Sequence, residues 1–362
     1  MLSVPDPLAR ARRFAEDFGL QIPVLLAPMA GACPPALSIA VARAGGMGAC
    51  GALMMSPDDI ADWARAVRAG SNGAFQLNTW IPDPPPQRDA GHETAVRAFL
   101  GQWGPKVPEE AAEARGQDFE AQCAAMIGAG PAVISSIMGL YPEHIVAEMK
   151  SRNIKWFATV TTVAEARAAV QAGADVIVAQ GMEAGGHRGA FVAEEAGQNL
   201  IGLFSLLPAV VDAVDVPVVA TGGIADARGV AAALMLGASA VQIGTGLLRS
   251  PEAALPAAWA DALGRAAPED TQATRAFSGR LGRSLRTAYV EAAENAVQPA
   301  PYPIQRNLTA PMRAQATRLD NLDAIQAWAG QSAALASPEP AGARVTALWQ
   351  EAQALLGAPQ VR

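Results

Sequence analysis

Eight short runs rich in β-branched and other apolar residues recur along the chain, and alanine-rich amphipathic segments separate them. Strands that are apolar on both faces belong to a parallel sheet wrapped by helices. Glycine-rich turns follow the last strands. Together these observations predict an α/β fold, a (β/α)8 TIM barrel, with a second, smaller and mostly helical lobe formed by insertions. A doubly wound open sheet is the runner-up.

The elements follow in order. Strands are expected over 24–29, 47–53 and 74–80, with helical patterns at 35–44 and 57–69 between them. Pro82, Pro84, Pro85 and Pro86 then break the rhythm. The polar, partly helical stretch to about Ala125 is too long for an ordinary barrel loop and reads as an excursion over the top of the fold. Strands resume at 132–138, 155–160, 175–181, 216–221 and 240–245, alternating with helices at 142–151, 163–172, 203–214 and 226–236. Beyond Gly246 the strand pattern stops, and the chain to about Gly330 reads as helical or irregular. A last helix at 343–356 is expected to pack back on the barrel. The barrel domain is therefore assigned to 1–82 and 126–247, with 340–362 packed on it. A lid-like lobe takes 83–125 and 248–339.

Composition narrows the function classes. Of 362 residues, 51% are hydrophobic and 17% charged, which excludes disorder, and 362 is enough for one large barrel or two ordinary domains. The net charge of −7 gives no electrostatic reason to expect nucleic acid or an anionic membrane. Arg10, Arg12 and Arg13 lie near the N-terminus with no apolar stretch behind them, so no signal peptide is read. No apolar span is long enough to cross a bilayer. Cys33, Cys50 and Cys123 are too scattered for a disulfide framework or thiolate metal cluster and fit buried thiols in a reducing cytoplasm.

Barrel enzymes carry their chemistry at the C-terminal strand ends. Those ends present Pro28-Met29, Asn78, Gln180, Gly222-Gly223 and Gln242-Ile243-Gly244-Thr245. Glycine turns after strands seven and eight make a phosphate site from main-chain N–H groups and a helix N-terminus, with Thr245 adding a hydroxyl. Asn78, Gln180 and Gln242 are uncharged amides suited to a flat heteroaromatic ring, although each alone reads equally as a loop brace. Met29 could lie against such a ring or simply pack. After strand six comes a glycine loop containing Gly185, Gly186 and His187; His187 suits a proton acceptor or a partner for an anion. Taken alone, it reads as a surface histidine on a turn. Arg275, Arg280, Arg283 and Arg286 read as a solvated helical face. No lysine lies at a strand end, no cysteine follows Cys123, and no metal-ligand spacing occurs, so a bound cofactor should supply the reactive chemistry.

The run from Gln180 to Gly189 resembles the signature loop of the nitronate monooxygenases, formerly 2-nitropropane dioxygenases. So do 27–31, 75–78, 221–224 and 242–245 in the barrel, and 276–280, 301–305 and 328–331 beyond it. The resemblance implies non-covalently bound FMN, its phosphate at Gly222-Gly223 and Gly244-Thr245. Asn78, Gln180, Gly185, Gly186 and Gln242 would contact the flavin, with Pro28-Met29 beside its ring. It also implies that an alkyl nitronate such as propionate 3-nitronate is oxidised by dioxygen to a carbonyl compound with release of nitrite. His187 would be the catalytic residue, holding the nitronate anion or taking the α-proton of a neutral nitroalkane. Strand four departs from the family's aromatic pattern with Ser135-Ser136-Ile137-Met138, which reshapes the substrate pocket. Besides the small substrate and O2, a homodimer is compatible with this reading. Its rivals are an FMN-dependent enoyl-acyl-carrier-protein reductase using NAD(P)H and a non-catalytic FMN- or phosphate-binding barrel.

Overall fold

A computed structural model describes residues 6–357, so the outer limits drawn at residues 1 and 362 lie outside the described residues. Eight parallel strands form one sheet: β1 (Val24–Leu26), β2 (Gly48–Gly51), β3 (Phe75–Trp80), β4 (Val133–Ile137), β5 (Lys155–Val160), β6 (Val176–Gln180), β7 (Val218–Thr221) and β8 (Ala240–Ile243). β1 pairs with β8 through Leu26 and Ile243, and a bridge between Leu25 and Met47 joins β1 to the start of β2. The sheet therefore closes on itself, as a (β/α)8 barrel requires.

Side chains alternate along each strand, so one set fills the barrel and the other meets the helices. Leu25, Val133, Phe157, Val176, Val178 and Val219 form the inner cluster, whereas Leu26, Ile134, Ile177 and Val241 belong to the outer one. The inner cluster also takes Phe14 from a helix at Pro7–Asp17 that the strand rhythm did not reveal. Asp6 caps that helix, Pro7 starts it, and Leu8, Ala11 and Phe14 give it one apolar face. The rings of Phe14 and Phe18 lie 6.2 and 5.1 Å from that of Phe157, which closes one end of the barrel.

The long excursion splits between two cores. Val96 and Leu100, on the helix Ala90–Leu100, join a cluster with Phe277, Tyr289, Leu308 and Met312 in the smaller lobe. The helix Phe119–Ala129 instead packs on Pro57–Gly70 and gives Cys123, Met126 and Ile127 to the barrel's outer core. The division expected at 125/126 falls inside this helix. The last helix, Ala341–Leu355, packs on Ala227–Met235 and Pro35–Arg43.

Two expectations for the region after Gly246 need correcting. It is not wholly helical or irregular: Thr271–Thr274 and Gly282–Leu285 form an antiparallel pair, and Gly186–His187 adds a third short strand. Four-residue strands are too short to show a period in sequence. The arginine set is not a solvated helical face either. Arg280 and Arg283 are buried on and beside this hairpin, Arg280 paired with Asp83 and Arg283 bonded to the carbonyls of Met182 and Thr271. No described helix is long and apolar enough to cross a membrane.

Candidate active site

The same alternation that fills the barrel with valines places polar residues at its top. Two residues beyond Val178 stands Gln180, two beyond Val219 stands Thr221, and two beyond Ala240 stands Gln242, all buried. With Asn78, Ser135 and Thr159 they floor a cavity of about 1150 Å3, open mouth included. Its walls include Pro28, Met29, Asn78, Gln180, Gly185, Gly186, His187, Gly222, Gly223, Gln242, Gly244 and Thr245. Every site residue singled out from the sequence thus borders one space, at the C-terminal strand ends.

At the β7 and β8 ends the main chain supplies donors. Among the described residues, the N–H groups of Gly223, Ile224, Gly244 and Thr245 bond to nothing. Gly222 and Gly223 have φ of +108° and +70°, a conformation side chains resist. Asp226 caps the following helix by accepting from Gly229 N at 3.0 Å, which satisfies one of that helix's free N–H groups. An anion would be gripped by the turn amides beside the helix start. Thr245 Oγ1 accepts from Gly330 N at 3.0 Å, which leaves its own hydrogen free to donate.

The three amides differ. Gln180 donates one Nε2 hydrogen to His187 O at 3.0 Å and accepts from Gly189 N at 2.8 Å, so it braces the glycine–histidine loop and keeps its second Nε2 hydrogen to donate. Asn78 gives its nitrogen to Ser135, leaving Oδ1 open as an acceptor. Gln242 accepts from Gln76 Nε2 at 3.1 Å, leaving its own nitrogen open as a donor. A free acceptor and free donors on the same floor can match the edge of a heteroaromatic ring. Glu183 anchors the loop from outside, its carboxylate accepting from Leu203 N at 2.9 and 3.0 Å at the start of the helix Leu203–Val211.

His187 projects from the short strand that the loop contributes to the smaller lobe. Its ring lies 4.6 Å from Trp80 and 4.8 Å from Trp328, both edge-on. Nε2 is 2.7 Å from Ser278 Oγ, which lies 3.2 Å from the Arg280 carbonyl. A carbonyl can only accept, so Ser278 donates to it and receives the Nε2 hydrogen; Nδ1 is then the lone-pair nitrogen, an assignment made from the partners. Burial, and after it the charges of Arg280, Arg306 and Arg313, lowers the pKa of His187 to about 3. The imidazole is neutral at physiological pH, in a positive field.

Sequence reasoning missed Trp80, Ser278, Trp328, Gly330 and Ser332 as site residues. Trp80 was within reach, since it follows Asn78 by two on the same strand face. Trp259 carries no sequence signal; it lines the cavity with its Nε1 buried and unpartnered. Among the described residues no group of His, Cys, Asp and Glu could hold a metal ion.

The fold and this cavity define the class: a barrel oxidoreductase whose site needs a bound cofactor for its redox chemistry. The chain belongs to the nitronate monooxygenase family, whose profile it matches over residues 12–351. It is 34% identical over 339 residues to a probable nitronate monooxygenase of Staphylococcus aureus (strain Newman), covering 91% of this chain and 94% of that one. The structure of a nitroalkane oxidase from Streptomyces ansochromogenes superposes with a TM-score of 0.85 at 33% identity, covering 95% of this chain and 99% of that chain. FabK from Thermotoga maritima superposes with a TM-score of 0.75 at 27% identity, covering 95% and 97%.

Proposed function

We propose that this protein is an FMN-dependent enzyme that oxidises alkyl nitronates, such as propionate 3-nitronate, with dioxygen to a carbonyl compound and nitrite. The observation that carries the reading is the pairing of turn amides at β7 and β8 that no protein group accepts from with a neutral histidine in a positive field. The cavity's chemistry fits FMN. The free amides of Gly223, Ile224, Gly244 and Thr245 suit its phosphate, Asn78 and Gln242 suit the polar ring edge, and the orphaned Trp259 Nε1 seeks an acceptor. Bound FMN supplies electron transfer between the nitronate and oxygen.

The chain's own residues do the rest. Gln180 holds the glycine–histidine loop to the barrel, with Gly185 and Gly186 keeping the main chain close to the flavin. Pro28 and Met29 would lie beside its ring, and Gly222 would complete the phosphate turn. Arg280 and Arg313 favour an anion next to His187. The neutral imidazole takes the α-proton of a nitroalkane at Nδ1, and the same cations stabilise the nitronate that forms. Trp80 and Trp328 exclude water from the imidazole. The lobe assigned to 83–125 and 248–339, less the helix Phe119–Ala129, acts as a lid over this cavity, in a cytoplasmic enzyme.

The test gives purified FMN-loaded protein propionate 3-nitronate under air, and separately NADH with an enoyl thioester. Oxygen uptake with nitrite release is expected. Loss of NADH instead would favour a reductase, and neither reaction a binding barrel.

A further inference from the structure

Trp80 has two faces on cavities. One borders the site just described; the other borders a second cavity of about 890 Å3, open mouth included, walled by Ile81, Pro84, Phe119 and Tyr302. Trp80 touches the His187 ring at 4.6 Å and the Tyr302 ring at 5.2 Å, so a chain leaving the imidazole's side can run along the indole into this space. Two charges stand in its wall. Asp83 is neutralised by the buried Arg280. Arg306, on the short helix Ile304–Leu308, pairs with no carboxylate among the described residues; its guanidinium rests against Met54 Sδ. The cavity is therefore largely apolar, with Gln117, Gln122 and Asn307 as its uncharged polar side chains and one cation that no carboxylate pairs.

We propose that this second cavity is a substrate subsite, and that the preferred nitronates carry a carboxylate at the far end of an apolar chain, held by Arg306. The inference rests on the proposed nitronate chemistry and adds the substrate class. Arg306 is half-buried in this wall with no carboxylate beside it, so an anion entering the cavity completes its hydrogen bonding. A single planar fork with no second cation matches one carboxylate, bound through two parallel N–H···O bonds, better than a phosphate. Chain length follows as well. Trp80 and Tyr302 line the way from the imidazole to the second cavity, so longer acids should engage both ends better than a three-carbon one.

The experiment has two arms, both on FMN-loaded protein. In the first, nitronates of 3-nitropropanoate, 4-nitrobutanoate and 6-nitrohexanoate are compared with nitroalkanes of equal length lacking the carboxylate. KM should fall with length for the acids only. In Arg306→Met the ratio of KM for the six-carbon acid to that for its uncharged counterpart should rise roughly 10–100-fold, with Arg306→Lys recovering part of it. In the second arm hexanoate and hexanol are titrated while the flavin spectrum and tryptophan emission are followed. Hexanoate should bind more tightly, and the advantage should vanish in Arg306→Met. A three-carbon acid favoured over the longer ones, or hexanoate binding no better than hexanol, overturns the subsite. If no nitronate is oxidised but hexanoate still binds through Arg306, the oxidase reading fails and the anion subsite stands. Should the methionine variant not fold, the length series and Arg306→Lys decide alone.

Discussion

His187 is more telling for its proton than for its position. Burial and three nearby guanidinium groups lower its pKa from 6.5 to about 3, and Ser278 directs the remaining hydrogen to Nε2. A group that stays neutral from pH 4 upward cannot add an ionisation near pH 6.5 to the rate. We therefore expect kcat/KM for a preformed nitronate to show no break between pH 5.5 and 8.5 that His187→Asn removes; such a break would refute the neutral imidazole. Stability carries the opposite sign. The folded pKa is depressed, so the unfolded chain binds the proton more readily, and stability falls as pH drops from about 6.5 towards 3. His187→Ala should keep FMN yet lose roughly 10²–10⁴-fold in turnover of neutral nitroalkanes, the usual worth of a positioned base. Nitronates that arrive already ionised should lose far less, because the arginines remain. Equal losses on both substrate forms would assign His187 to binding instead.

At the scale of elements, the β7 turn is where backbone shape decides binding. Gly223 sits at φ +70°, and a Cβ there would meet Glu183 Cβ at 3.1 Å. Glu183 cannot easily retreat, because its carboxylate holds the start of the helix Leu203–Val211. Gly223→Val should therefore raise the FMN dissociation constant at least ~10-fold, the cost of strain in a disfavoured φ region being ~1–3 kcal/mol. Equilibrium dialysis against FMN measures it; wild-type affinity would move the phosphate elsewhere. This turn was legible in sequence because paired glycines after an apolar run have few other uses. The strand ends were legible for a similar reason: period two carries Val178 to Gln180 and Ala240 to Gln242 without any knowledge of the fold. The hairpin at Thr271–Leu285 was not, since its four-residue strands carry no period and its arginines imitate an exposed face. Nor was Ser278, whose partner lies 91 positions away in the chain and is fixed only by tertiary packing.

Across the whole molecule, the smaller lobe completes the cavity. Gly330 donates to Thr245, Trp328 flanks His187, and the loop's own strand is stitched to Gly282 and Arg283. Gly185 shows how closely the lobe approaches the barrel: a Cβ there would lie 2.5 Å from Gly330 N. Arg280 adds a buried clamp, tying the hairpin end to Asp83 in the loop after β3 and to the Ala190 carbonyl after the glycine loop. A ligand lodged between two such bodies stabilises both, so barrel and lobe should unfold as one unit when FMN is bound. At a free concentration 100 times the dissociation constant, FMN should add about 2.7 kcal/mol and raise the midpoint of a single calorimetric transition. Asp83→Ala removes the clamp's counter-charge and leaves Arg280 buried and unpaired. Loss of one partner of a buried pair costs ~3–5 kcal/mol, and the partial exposure of Asp83 places this one at the lower end or below. Because the clamp joins the two bodies, the variant should also split the melting curve without FMN and recover one transition with it. A holoenzyme that melts in two steps, only the first moved by FMN, would show that the cavity belongs to the barrel alone.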